Sequence, residues 1–242
     1  MCRMFAYAGG SREDLARLVS ALSGAAKKDT VAEKVPLKDA FHDDGWGFAV
    51  YSKRGLTYHR SGRPIFREDM ALPPTDGEIF AIYHARHATP GNPIGVRFSH
   101  PFLAETNNGL ILLAHNGALY KDKLAERLHF AGDLSRITDS ELALKYAVQR
   151  GLTAASTDLE DCTETNSALN LLVLEIGDNR QAEIFVKHFY RKQGRLDKTR
   201  YYELCYEDLS GGRAVFSSTL NDYGLSGKPM REDGLVPLSA LK

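Results

Sequence analysis

Cysteine is scarce in this chain of 242 residues, with only Cys2, Cys162 and Cys205. Thiols this few and scattered make neither a disulfide framework nor a paired CxxC metal site, and they fit a reduced, cytoplasmic setting. Net charge is lacking too, since 31 Lys and Arg balance 31 Asp and Glu. That balance removes the usual electrostatic ground for binding nucleic acid or an acidic membrane surface. No run approaches the ~18–20 apolar residues that cross a bilayer, and the opening MCRMFAYAGG has no long apolar signal segment. Repeats, low-complexity tracts and Pro/Ser-rich linkers are absent as well. The reading is one domain over 1–242, soluble and cytoplasmic. Its 43% hydrophobic and 26% charged residues are the composition of a globular chain with a substantial core.

What is present alternates strand and helix signals in blocks. Residues 3–8 read as a strand ending at Gly9-Gly10, and Ser11 as the N-cap of a helix carrying Leu15, Leu18, Val19 and Leu22. Gly47 to Ser52 and Leu56 to Arg60 read as a hairpin, preceded by the glycine-rich turn Asp43-Asp44-Gly45-Trp46-Gly47. Glu78 to His84 and Leu110 to His115 are apolar enough for buried strands, and Leu119 to Phe130 and Asp139 to Val148 follow as helices. A meander of four β-rich runs completes the chain, at 168–176, 182–190, 200–206 and 213–218, with turns that include Gln193-Gly194. Segregated strands and helices predict an α+β fold of stacked, mainly antiparallel sheets.

Chemistry concentrates at the ends of these elements. Cys2 follows the initiator methionine and has a small side chain, so removal of Met1 would put a thiol and a free α-amine on one carbon. That residue would hold both a nucleophile and a base able to take its proton. A thiol attacking an amide needs donors for the oxyanion it creates, and Asn116-Gly117 supplies a side-chain amide and a backbone N–H open to close approach. Read alone, Asn-Gly is equally a turn. Arg86 offers a planar fork for a carboxylate, and Asp139 offers a partner for an ammonium. Asp139 is as readily a charge in a helix's first turn, with Thr138 as the cap. Thr89 could add a hydroxyl to the carboxylate contact or serve as a turn residue before Pro90. A zinc site from Cys2, His84, His87, His100 and His115 is disfavoured, because there is no HExxH or paired CxxC and a strand turns positions i and i+3 to opposite faces. No metal or cofactor is expected.

Taken in order, Cys2 after Met1, His84-Ala85-Arg86-His87-Ala88-Thr89-Pro90-Gly91, His115-Asn116-Gly117 and Thr138-Asp139-Ser140-Glu141 resemble the class II glutamine amidotransferases, which are N-terminal-nucleophile hydrolases. Asp44-Gly45-Trp46-Gly47 resembles stand-alone members. Met1-Cys2-Arg3 is similar to the branch that includes the γ-glutamyl hydrolase of ergothioneine biosynthesis. The resemblance implies a four-layer αββα sandwich in which processed Cys2 forms a γ-glutamyl thioester. Asn116 and Gly117 would form the oxyanion hole, Arg86 would bind the α-carboxylate with Thr89 in support, and Asp139 would bind the α-ammonium. His87 and Pro90 depart from synthetase-linked members, many of which carry an aromatic residue and a histidine there. At this length there is no room for an acceptor domain. The chain is therefore expected either to pass ammonia from glutamine to a separate subunit or to hydrolyse a γ-glutamyl amide. The competing expectation is a catalytically silent glutamine-binding or interaction module of the same fold.

Overall fold

A computed structural model describes residues 2–34, 41–69, 71–89, 91–193, 198–231 and 233–241. Met1, Pro90 and Gly194 lie outside the described residues. Among the described residues thirteen strands are formed: β1 (Arg3–Gly9), β2 (Trp46–Ser52), β3 (Gly55–Ser61), β4 (Ile79–Ala85), β5 (Phe102–Thr106), β6 (Gly109–Gly117), β7 (Ser167–Gly177), β8 (Ala182–His188), β9 (Tyr190–Arg191), β10 (Leu204–Leu209), β11 (Gly212–Ser217), β12 (Lys228–Pro229) and β13 (Asp233–Pro237). The helices are α1 (Arg12–Lys27), α2 (Lys121–Leu128), α3 (Asp139–Arg150), α4 (Leu152–Cys162) and the single turn α5 (Thr199–Tyr202).

One sheet runs β12-β10-β11-β1-β4-β2-β3 and the other β13-β8-β7-β6-β5, with β9 paired to β7. Neighbouring strands pair antiparallel throughout both. Alternation of side chains explains why the sheets stack. Met4 and Ala6 of β1, Ile82 of β4, Leu112 and Ala114 of β6, and Leu172 and Leu174 of β7 fill the space between them. The intervening residues point outward: Phe5, Tyr7, Ala81 and Tyr83 pack on Leu15, Leu18 and Leu22 of α1. On the other side Leu113, Leu169, Leu171 and Val173 pack on Leu142 and Ala143 of α3 and Leu159 of α4. Each such fully buried aliphatic or aromatic side chain contributes roughly 1.5–3 kcal/mol. The result is the four-layer αββα sandwich.

Ser11 caps α1 as its sequence predicts, its side chain accepting the Asp14 N–H. Other segments depart from expectation. The four late β-rich runs do not form one meander, because β7 and β8 join one sheet while β10 and β11 join the other. Residues 199–202 are helical, because Tyr201 and Tyr202 are recruited into a buried aromatic cluster with Val31, Ala32, Ala168 and Tyr190. Such packing overrides their β propensity. The strand β5 and the helix α4 carry weak signals, α4 burying mostly the small side chains Ala155, Ser156 and Cys162 beside Leu159.

Candidate active site

The register Arg3↔Ala85 makes Cys2 and Arg86 the next residues at one end of β1 and β4. By the parity of β1, Cys2 faces the space between the sheets together with Met4. From the opposing sheet, Asn116 near the end of β6 meets it: the Cys2 backbone N–H donates to Asn116 Oδ1 at 3.0 Å. The Asn116 Nδ2 is buried with no partner. The Cys2 thiol lies 3.7 Å from the carbonyl oxygen of His87 and is 8% exposed. Gly117 closes β6 opposite Leu169, and a Cβ there would strike the Ala168 carbonyl oxygen, so only glycine fits.

Arg86 is buried; its Nη2 donates to the Pro93 carbonyl at 2.9 Å, while Nη1 has no partner. Its backbone continues the ladder beyond β4 by exchanging bonds with Asp44 and Gly45, at 3.1 and 2.8 Å. Gly45 adopts φ +121°, and a Cβ there would collide with Ser99 Oγ. That close approach is why the glycine-rich turn can lie over the strand end. The Asp44 carboxylate also accepts the Ala88 N–H at 2.7 Å, shaping the segment after Arg86. Thr89 is exposed, its carbonyl closing a turn to the Asn92 N–H.

Asp139, at the first position of α3, is buried and tied to the same end of β6. Its Oδ2 accepts the Leu119 N–H at 2.9 Å, two residues beyond Gly117, and its Oδ1 accepts its neighbour's N–H at Ser140 at 2.9 Å. Thr138 is the N-cap, its side chain accepting the Glu141 N–H, and Asp139 is an acidic residue of the first turn. The structure thus gathers Cys2, Arg86, Asn116, Gly117 and Asp139 at the ends of β1, β4 and β6, with Thr89 on the surface turn beyond.

The sequence profile of the class II glutamine amidotransferases matches residues 32–187. The chain belongs to this family. No curated protein matches it in sequence. Among solved structures, the B. subtilis glutamine phosphoribosylpyrophosphate amidotransferase complexed with ADP and GMP superposes with a TM-score of 0.65 at 18% identity. That match covers 98% of this chain and 48% of the other. A structure described as the allosteric regulatory enzyme of purine biosynthesis gives 0.63 at 20% identity, over 97% of this chain and 48% of the other. The chain thus spans about half the length of those proteins, and they share its fold.

Within this amidotransferase fold, the residues behind Cys2 were not foreseen from sequence. Arg3, at the parity opposite to Cys2, points toward the α1 side. There its Nη2 pairs with Asp29 Oδ2 at 2.6 Å, and its Nη1 donates to the carbonyls of Cys2 and Tyr201 at 3.0 and 3.2 Å. Its guanidinium also lies 4.1 Å above the Tyr201 ring. Asp29 further accepts from Val31 N, Ala32 N and Thr219 Oγ1 and contacts His42 Nε2 at 2.8 Å. Burial alone would raise the Asp29 carboxyl, but Arg3 and the bond with His42 hold it well below the usual carboxylate range. Burial pushes His42 down to about 3, against the opposing pull of Asp29. A charge at an otherwise apolar strand position was the one sequence signal of this cluster; Asp29 itself reads as an ordinary residue after a helix.

Of the histidines considered as zinc ligands, His84, His100 and His115 are buried. Burial pushes His84 down to about 3 and His100 well below its ordinary value. Their rings lie 4.2 Å apart, and His84 Nε2 donates to the His115 carbonyl at 3.2 Å. Among the described residues, the potential metal-ligating atoms that converge belong to Asp43, Asp44 and His87, within 4.8 Å of one another.

Proposed function

We propose that this chain hydrolyses the γ-carboxamide of glutamine, or of a γ-glutamyl amide, through a thioester on Cys2. The observation that carries this reading is the Asn116 side chain, whose Oδ1 holds the Cys2 nitrogen at 3.0 Å while Nδ2 is buried and unpartnered. A buried donor without a partner costs stability unless a ligand completes it, and a developing oxyanion is such a ligand. The unpartnered Arg86 Nη1 supports the same reading on the carboxylate side.

In the proposed reaction, loss of Met1 frees the Cys2 α-amine, which takes the thiol proton as Sγ attacks the amide carbon. The oxyanion receives hydrogen bonds from Asn116 Nδ2 and the Gly117 N–H. Cleavage of the C–N bond returns the proton to the departing amine or ammonia and leaves the γ-glutamyl thioester. Water then attacks the thioester carbon, releasing glutamate and restoring the thiol. Arg86, supported by Thr89, would hold the α-carboxylate and Asp139 the α-ammonium. With glutamine, the ammonia would go to a separate acceptor subunit; with a conjugate, the freed amine is the useful product. We favour hydrolysis of a γ-glutamyl amide by a cytoplasmic enzyme.

The test combines intact mass with two assays on the purified protein. The expected outcome is a mass lacking one methionine, together with release of glutamate from a γ-glutamyl conjugate. Glutaminase activity alone would point instead to the ammonia-donating role. A processed protein inert toward both substrates, with Cys2 unreactive to a glutamine-mimicking electrophile, would make it a silent binding module.

A further inference from the structure

One sheet ends at β3 and the other at β5, and residues of both line a cleft of about 290 Å³ that α3 completes. Its apolar lining includes Tyr58 of β3, Phe102 of β5 and Leu144 of α3. Tyr58 packs with the residues between the sheets, whereas Phe102 and Leu144 pack in the core beneath the helices, so this lining is anchored in two cores. Three cationic side chains, Arg60, Arg97 and Lys145, line the same cleft against the single carboxylate of Glu141, an excess of two positive charges.

Arg60 is the fixed member of this set. Its Nη1 donates to the carbonyls of Arg97 and Ser99 at 3.0 and 3.3 Å. Its guanidinium carbon lies 5.7 Å from the ring centres of both Tyr58 and Phe102. Among the described residues no carboxylate pairs with Arg60 or Lys145, and Glu141 is engaged by Arg97 at 3.5 Å.

We propose that this cleft is a binding site, separate from the Cys2 site, for a small molecule that carries a carboxylate or phosphate on an apolar body. The Nη2 and Nε edge of Arg60 makes no hydrogen bond among the described residues, and that edge is the planar fork that grips two oxygens of one anion. Because two backbone carbonyls already hold the guanidinium, an arriving anion does not have to immobilise a free side chain. The flanking rings thin its hydration, so the contact is stronger than an ordinary surface ion pair. Lys145 and the exposed Arg97 add charge at the rim, and Phe102 and Leu144 receive the apolar body. The volume is that of a site for a small ligand. Cys2, Arg86, Asn116, Gly117 and Asp139 do not line the cleft, so the proposal is independent of the substrate they take.

The test is calorimetry on the whole chain with benzoate, phenyl phosphate, acetate and inorganic phosphate at constant ionic strength. We expect at least one aromatic anion to bind saturably, and at least fivefold more tightly than its ring-free counterpart; the tighter of the two identifies the anionic group. Arg60→Gln should weaken that binding about tenfold and Lys145→Gln about threefold, while Arg86→Gln leaves it unchanged. Should Arg60→Gln fail to fold, the double variant Arg97→Gln/Lys145→Gln decides, since both side chains are exposed. Absence of saturable binding by either aromatic anion, equal binding of the ring-free anions, or variants that bind as the wild type does would each overturn the proposal. Binding lost in Arg86→Gln and kept in Arg60→Gln would put the anion in the Cys2 site and overturn it as well.

Discussion

Arg3 Nη2 and Asp29 Oδ2 lie 2.6 Å apart with neither side chain exposed, and the same guanidinium donates to the carbonyl of Cys2. Once Met1 is removed, Cys2 would be tethered covalently on one side only, and this buried pair together with Asn116 would replace the missing restraint. Removing one member of a buried pair strands the other charge. Arg3→Met is expected to lower stability by about 3–5 kcal/mol, measured by denaturant unfolding. The double variant Arg3→Met/Asp29→Leu should recover much of that loss; a loss equal to the sum of both single variants would contradict the pairing.

Acid should unfold the protein earlier than its neutral composition suggests. Burial holds His42 and His84 at about 3 and His188 at about 4, against an ordinary 6.5 for each in the unfolded chain. Between those values the unfolded state binds more protons, so this stability is whole above 6.5 and is lost as pH falls toward the folded values. Asp29 adds a further loss below its ordinary 3.8, because its folded value is depressed. A melting temperature that stays level from pH 6.5 down to 4 would show that these histidines are not buried neutral.

Cys2→Ala should abolish amide hydrolysis and leave the fold intact, because a smaller side chain at a strand's edge costs little packing. Circular dichroism and thermal melting check the fold, and sustained turnover would remove the thioester mechanism. Asn116→Ala, which deletes an oxyanion donor, should lower kcat by roughly 10²–10³-fold. Since Asn116 also holds the Cys2 nitrogen, intact mass on that variant separates failed processing from failed catalysis.

Arg86→Lys should act on substrate affinity. A lysine gives a point charge where the guanidinium gives a two-pronged donor, and the contact with Pro93 is lost. The expected rise in KM is on the order of 10–100-fold, with a smaller change in kcat. Unchanged saturation behaviour would exclude Arg86 as the carboxylate contact.

Much of the sandwich was legible in sequence because its strands alternate clearly and its first helix carries a cap and a regular apolar face. Cys2, Arg86, Asn116, Gly117 and Asp139 were visible as motifs at element ends, and the fold explains their order by bringing three strand ends together. The allocation of β7, β8, β10 and β11 between sheets was not readable, since alternation tells which face of a strand is buried but not which partner buries it. Residues 199–202 misled because their aromatic content serves packing in a helical turn. Arg3, Asp29 and His42 are far apart in the chain, and their partnership exists only after α1 has docked.

All nine residues of β6 are paired to β7, and the ladder runs to Gly117. The Asn116–Gly117 end of this strand is therefore the terminus of a stiff rail, whereas Thr89 and Pro93 belong to a connecting segment outside any strand. On the proposed reading of the site, chemistry and selectivity are inherited through different parts of the chain. On that reading, substitutions in the connection would retune which substrate is admitted, and a single insertion in β6 would swap the layers that His115 and Asn116 address and silence the site in one step.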